Sequence, residues 1–446
     1  MTERKHPVKR NRLVATSVAS TITLALALTA CSSGGGDDNG SGSGAGGDAP
    51  TGDIRVWLNG TDTPDAAREY LKTTFEEENE GSTLTIEEQS WTGIVDKLTT
   101  SLSGSDSPDV VEVGNTQSPA FTSAAYFREI TADEFATLGG DDLLPGFVEA
   151  GDWEGKHYAL PYYAGSRAVF YSPSAIGEDI TVPETLDDYV ELGKSLKTDT
   201  RSGIYWPGQD WYNALPFVWE NGGFIAEQAD DGTWEAGFSS EGGLAGLEQV
   251  QDVMNNASLA PKDGQETDLQ VPFCEGNVAL LSAPTWIQWS IKAPEKPEDP
   301  DVAPGCESTF GADLTAFPLP GKTAGTPAQV FAGGSNIAVA ANSNNPELAY
   351  KAFEIMMSDD YQTILGENGL IPAKVSLSST VPQDDPIAQA GVEAAANARL
   401  TPASPRWADV EAQNVLQTAF TRIANGDDVK TVAEELDAKI EEILNG

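Results

Sequence analysis

Apolar and polar positions along the chain switch repeatedly between the two-residue period of strands and the longer period of helices. Ile54-Arg55-Val56-Trp57-Leu58 reads as a strand. Thr63-Pro64 then opens a helix with a capping hydroxyl and a proline at the first helical position. Ala67, Tyr70, Leu71 and Phe75 give that helix one apolar face. Leu84 to Glu87 alternates as a second strand, Thr92 to Ser103 reads as helix, and Val110-Val111-Glu112-Val113 as a third strand. Ala168 to Tyr171 forms a fourth, after which Thr185-Leu186-Asp187-Asp188 resembles a capping box at a helix start. Near the C-terminus Val410, Leu416, Phe420 and Ile423 share a face, and so do Val432, Leu436, Ile440 and Ile443. Asn425-Gly426 separates those two helices. The alternation predicts an α/β protein with largely parallel sheets. Lys292 to Pro304 is rich in proline and glutamate and reads as an exposed loop.

The first 52 residues follow a different pattern. Arg4, Lys5, Lys9, Arg10 and Arg12 precede an apolar run from Leu13 to Ala30, as in a secretory signal. Leu28-Thr29-Ala30-Cys31 resembles a bacterial lipobox, which implies cleavage after residue 30 and lipid on Cys31. The run holds six Ser or Thr, so a permanent membrane helix fits less well. Ser32 to Gly52 is nearly all Gly, Ser, Asp and Ala, the composition of a flexible leash. About 394 residues remain from Asp53 onward, more than one compact core usually holds, so two lobes are expected.

Charge and cysteine narrow the picture further. The chain carries a net −43, and beyond residue 30 it holds 21 bases against 68 acids. Nucleic acid and anionic lipid headgroups would be repelled. With Cys31 assigned to lipid, Cys274 and Cys306 remain. Outside the cytoplasm that pair suggests one disulfide, with two buried free thiols as the alternative.

Most catalytic constellations lack their residues. His157 stands alone once His6 leaves with the signal, so a multi-His metal site is excluded. Gly333-Gly334-Ser335-Asn336-Ile337 begins like a nucleophile elbow but ends in Ile. Gly321-Lys322-Thr323 has Ala316 where a phosphate loop needs its first Gly, and Pro318 and Pro320 remove backbone donors. No dinucleotide fingerprint stands out, and no cofactor is expected. The abundant carboxylates leave a glycoside hydrolase open as an alternative.

Ten tryptophans supply the positive signal. Trp206, Trp211 and Trp219 cluster with Tyr205 and Tyr212 in a segment punctuated by Gly and Pro. Trp286 and Trp289 follow a proline, and Trp407 lies in Ser404-Pro405-Arg406-Trp407. Flat aromatic rings at turns suit the apolar C–H faces of sugars, while Asn, Asp and Gln suit their hydroxyls. Core packing is the competing use of any one of these rings.

Several segments, in order, resemble the maltose-binding-protein-like solute receptors of family 1. They are Ile54 to Gly60, Pro108-Asp109-Val110-Val111-Glu112-Val113, Phe127 to Thr131, and Leu160-Pro161-Tyr162-Tyr163 with Val169 to Ser172. Phe273-Cys274-Glu275-Gly276-Asn277-Val278-Ala279-Leu280, Ala283-Pro284-Thr285-Trp286, Gly333-Gly334 and Asn344 to Ala349 continue the series. The resemblance implies a two-lobed, type II periplasmic-binding-protein-like α/β fold, with a ligand cleft between hinged lobes. It divides the chain into a first lobe over 53–163 with a return at 311–365, and a second over 164–310 with C-terminal helices at 366–446. It implies a monomeric receptor that delivers an oligosaccharide to the permease subunits of an ABC importer. A polyamine or peptide receptor of the same fold is the alternative. Loops at strand C-termini would bind the ligand. By the resemblance Asn59, Thr61, Asp62, Asn115 and Gln117 would do so on the first lobe, with Tyr163 at the crossing. Tyr212, its neighbour Trp211, Trp286 and Trp407 would stack on the sugar, and Gly334 and Asn336 would allow close backbone approach.

Overall fold

Fourteen strands lie among the residues described by the computed structural model, which are 51–60, 62–91, 93–177, 180–297 and 303–446. The expected signal, Cys31, the leash up to residue 50 and Thr61 lie outside them. In chain order the strands are β1 (Asp53–Asn59), β2 (Thr83–Gln89), β3 (Val110–Gly114), β4 (Asp152–Trp153), β5 (Lys156–His157), β6 (Leu160–Gly165) and β7 (Arg167–Tyr171). They continue as β8 (Ser202–Ile204), β9 (Phe224–Gln228), β10 (Trp234–Gly237), β11 (Val278–Pro284), β12 (Thr315–Phe317), β13 (Gly333–Val339) and β14 (Ile371–Pro372).

Six of them form the larger sheet, in the order β14-β6-β13-β3-β1-β2. β1 pairs in parallel with β2 and β3, whereas β13 runs antiparallel to β3 and β6. Helices cover both faces, so the central strands are buried throughout: Val110, Val111, Glu112 and Val113 are all inaccessible. On one face Ala67, Leu71 and Phe75 of the helix Asp65–Glu78 pack with Phe353 and Tyr361. On the other, Ile94, Leu98 and Leu102 of the helix Ile94–Leu102 pack with Trp57 and Phe121. The smaller sheet has the order β12-β7-β11-β8, and only β11 and β8 are parallel in it. Its helices build a second core around Trp211, Phe217, Phe238 and Trp407. The expectation of largely parallel sheets holds for β1 to β3 and for the β8–β11 pair; the other pairings in both sheets are antiparallel, because later strands return to sheets already begun.

Three chain segments pass between the sheets. β6 continues through Ser166 into β7 as one extended run. The chain returns between Phe317 of β12 and Gly333 of β13. It passes again after β14, reaching the helix Pro386–Ala395 that packs on β7 and β12. Relative to the divisions expected at 163, 310 and 365, β6 runs on to Gly165, β12 still pairs in the smaller sheet, and β14 still pairs in the larger.

Local chemistry departs from expectation at one cap. Pro64 occupies the N-cap position, and the Thr63 hydroxyl instead lies 2.9 Å from the buried Tyr162 hydroxyl. Thr185 does cap its helix, accepting from the Asp188 amide at 3.2 Å. Gly426, at φ 90°, ends the helix Val415–Asn425 in the left-handed conformation that favours glycine.

Cys274 and Cys306 are bonded to one another, 32 residues apart with Cα atoms 5.4 Å apart. The bridge pins the loop before β12 to the short helix Gln270–Cys274. Denatured, unreduced protein truncated before Asp53 should show no reactive thiol, and reduction should expose two. Closing a loop of this length should contribute about 3 to 4 kcal/mol, read as a lowered melting temperature in the Cys274→Ser/Cys306→Ser protein.

Candidate functional site

The strand ends of the larger sheet and the chain crossings enclose a cavity of about 370 Å³. Its walls come from both sheets. β1 ends at Gly60, whose φ of 56° turns the chain, and Arg68 clamps the turn through the carbonyls of Gly60 and Thr63 at 2.7 and 2.9 Å. That turn presents Asp62, which accepts the Trp91 indole N–H at 2.9 Å. Trp91 follows β2 and stays 38% exposed, so its ring is an open platform at the cavity wall. Asn115 and Gln117 follow the end of β3 at Gly114. Asn115 is held by the crossing chain, donating to the carbonyls of Gly334 and Ala332 at 3.1 and 2.9 Å. The Gln117 Oε1 is buried and has no partner among the described residues.

The floor belongs to Tyr163 and Gly334. The Tyr163 hydroxyl donates to Glu112 at 2.7 Å. Gly334 has φ 139°, and a Cβ there would meet the Tyr163 carbonyl at 2.4 Å, so only glycine fits. Trp286 closes over the crossing: a Cβ at Gly165 would stand 2.4 Å from its ring.

Arg167, the first residue of β7, anchors the opposite wall. It is 3% exposed, forms a two-pronged pair with Glu266 at 2.6 and 3.3 Å, and bonds Asn213 at 3.1 Å. Asp210 lies 3.6 Å away. Burial pulls Arg167 downward, but Glu266 and Asp210 offset this and keep it charged. The guanidinium lies over the Tyr212 ring at 5.7 Å, and Tyr212 packs at a tilt against Trp211 at 3.9 Å and Phe331 at 4.9 Å. Burial pushes Glu112 up to about 7, opposed by three hydrogen bonds. Burial also raises Asp62, against the Trp91 indole, and raises Glu411, which accepts from Trp407 and Thr116.

Of the residues expected at the site, Asp62, Asn115, Gln117, Tyr163 and Gly334 line the cavity from the larger sheet. Tyr212 and Trp286 line it from the smaller. Four do not reach it. Asn59 is buried inside the sheet and donates to the Glu112 carbonyl at 3.1 Å. Asn336 points to the other face and bonds the Phe147 carbonyl at 2.7 Å. Trp211 and Trp407 pack edge to face in the core, 1% and 0% exposed. Among residues not anticipated, Trp91 follows a strand end as Asp62 and Asn115 do, and that position could have flagged it. Arg167 is the one charged residue between Leu160 and Tyr171, a second usable signal. Glu266, in a loop, and Phe331, in a crossing, carry none. A separate cavity of about 530 Å³ lies beyond the pairing of Phe331 with Arg399, lined by Trp219, Trp234 and Arg399.

Two α/β sheets sharing crossing chains, with a cavity walled by both, define a type II periplasmic-binding-protein-like fold. The chain belongs to the bacterial extracellular solute-binding protein family, whose model matches residues 59–363. It is 30% identical over 400 residues to the diacetylchitobiose binding protein DasA of Streptomyces coelicolor, covering 88% of this chain and 89% of that one. The solved GacH receptor of Streptomyces glaucescens, 19% identical, superposes with a TM-score of 0.74 over 89% of this chain and 99% of that one. The sugar-binding protein MalE of Xanthomonas citri, also 19% identical, gives 0.73 over 88% and 97%. These relatives are binding proteins rather than enzymes, and the family is an extracellular one.

Because Trp211 packs the core while its neighbour faces the cavity, the two should respond differently. Trp211→Ala should destabilise the fold by about 3 to 5 kcal/mol, read by denaturant unfolding. A loss below about 1 kcal/mol would contradict the packing described.

Proposed function

We propose that this protein captures an oligosaccharide outside the cytoplasm and delivers it to the permease subunits of an ABC importer. The observation that carries the reading is the composition of the cavity. Tyr212, Phe331 and Trp286 offer flat apolar surface, beside the open ring of Trp91. Asp62, Gln117, Arg167 and Glu266 bring hydrogen-bonding groups to the same cavity. A sugar ring has apolar C–H faces and a polar equator, which matches stacking surface alternating with hydrogen-bond partners. The buried Gln117 Oε1 waits for a donor such as a sugar hydroxyl. A volume of about 370 Å³ falls in the range of small-molecule sites and suits a short oligosaccharide.

The relatives' names agree in chemistry. DasA is a diacetylchitobiose binding protein, and the GacH receptor was solved in complex with acarbose. The protein acts as a carrier without catalytic turnover. It is held to the membrane by lipid on Cys31, and residues 32–52 serve as its leash. A tethered receptor keeps its ligand beside the importer, which is the use of an anchor for a protein that only binds.

A thermal-shift panel of oligosaccharides, with polyamines and peptides alongside, tests the reading. At least one sugar should raise the melting temperature and be recovered uncleaved. Tyr212→Ala should weaken that sugar about five- to tenfold, since one stacking contact is worth on the order of 1 kcal/mol. Stabilisation by a polyamine or peptide and by no sugar would overturn it, and so would released reducing ends.

A further inference from the structure

Glu112 of β3 never touches the cavity, yet its carboxylate meets three other strands of the larger sheet. It is wholly inaccessible in β3. Its Oε1 lies 2.7 Å from the Tyr163 hydroxyl of β6 and 2.6 Å from the Ser335 hydroxyl of β13. Its Oε2 accepts the Asn59 amide of β1 at 2.7 Å. No cation is paired with it among the described residues. The titratable groups facing it are Asp62 from the turn after β1, Tyr163 and Tyr162 of β6, and Tyr361 of the helix Asp359–Glu367. Arg68, on the helix Asp65–Glu78, acts on Asp62.

The arrangement has two hydrogen-bond states. Ionised, Glu112 accepts the protons of Tyr163 and Ser335, so the Tyr163 oxygen presents a lone pair to the cavity. When the carboxyl is protonated, Oε2 still faces an amide N–H, so the proton sits on Oε1. That O–H must donate to one of the two hydroxyls, because a buried donor without a partner is costly. Donation to Tyr163 turns the phenol proton outward toward Asp62. Asp62 is then satisfied from within and offers less to a ligand hydroxyl.

We propose that Glu112 is a positioning residue that sets the polarity of the Tyr163 hydroxyl, making it a donor to Asp62 when Glu112 carries its proton and an acceptor for ligand hydroxyls when it does not. The proposal rests on the oligosaccharide reading for its ligand. The ionised state frees both Tyr163 and Asp62 as acceptors, so sugar binds more tightly as Glu112 loses its proton. Burial holds that loss near neutrality.

Isothermal titration with the sugar found in the panel, at pH 5.5 and 8.5, tests this. Wild-type affinity should rise at least threefold between the two. Glu112→Gln, whose carbonyl oxygen takes the Asn59 amide N–H so that its NH2 faces Tyr163, should bind at the weaker level at both pH values. Asp210 and Glu411 also have raised values, so the readout is the difference between variant and wild type. A second arm needs no ligand. In a carbon-13 titration of the Glu112 carboxyl, Tyr163→Phe removes a donor to the ionised form and should move the midpoint upward. An unmoved midpoint overturns the proposal, and so does an equal pH response in wild type and Glu112→Gln. A moved midpoint in a protein that binds no sugar supports the coupling and refutes the oligosaccharide reading alone.

Discussion

The structure depends on one continuous extended run, Leu160 to Tyr171, that belongs to both sheets. β6 ends at Gly165 and β7 begins at Arg167, leaving Ser166 alone between them. Ser166 is fixed on both sides: its hydroxyl donates to the Gly391 carbonyl at 2.6 Å, and its carbonyl accepts the Thr285 amide at 3.0 Å. With one residue of slack, two interior strands, one from each sheet, follow each other directly. The cavity forms where they meet, with Tyr163 before the crossing and Arg167 after it. A side chain at Gly165 would collide with Trp286, so the close approach that shapes the cavity also requires that glycine.

Electrostatics follows from this geometry. The crossing buries charged groups that water would otherwise solvate, and each needs a protein partner. Arg167 is matched by Glu266 and Asp210, and its planar fork meets Glu266 with two bonds. Glu112 has hydroxyl and amide donors but no cation among the described residues, and burial raises it accordingly. The sign is therefore fixed: a folded-state value raised above the unfolded one gives stability that is present in acid and lost as pH rises through about 7. The acidic surface and the acidic interior are distinct features, the first solvated and the second held by specific bonds.

Much of this was readable from the chain alone, for identifiable reasons. Ile54 to Leu58 and Val110 to Val113 announced their strands because buried parallel strands are runs of apolar residues. The expected residues that line the cavity, such as Asp62, Asn115 and Gln117, follow such strands, where chain order and position in space coincide. What escaped depends on tertiary packing. Trp211 and Tyr212 are adjacent, so composition cannot say which ring faces the cavity; packing against Phe331, from a distant crossing, turns Tyr212 outward. Glu266 reaches Arg167 across 99 residues, which no local pattern encodes. The reversal of β13 and β14 escaped for the same cause, since direction in a sheet is set by which earlier strand a late one joins.

The proposed oligosaccharide would lie between the two sheets, stacked on Tyr212 and Trp286 and bonded to Asp62 and Gln117. A crystal structure of the protein grown with its stabilising sugar tests this most directly. Sugar density is expected in the cavity of about 370 Å³, with a hydroxyl within hydrogen-bond distance of the Gln117 Oε1. Density instead in the larger cavity beside Trp219, Trp234 and Arg399, with the first cavity holding only water, would contradict it.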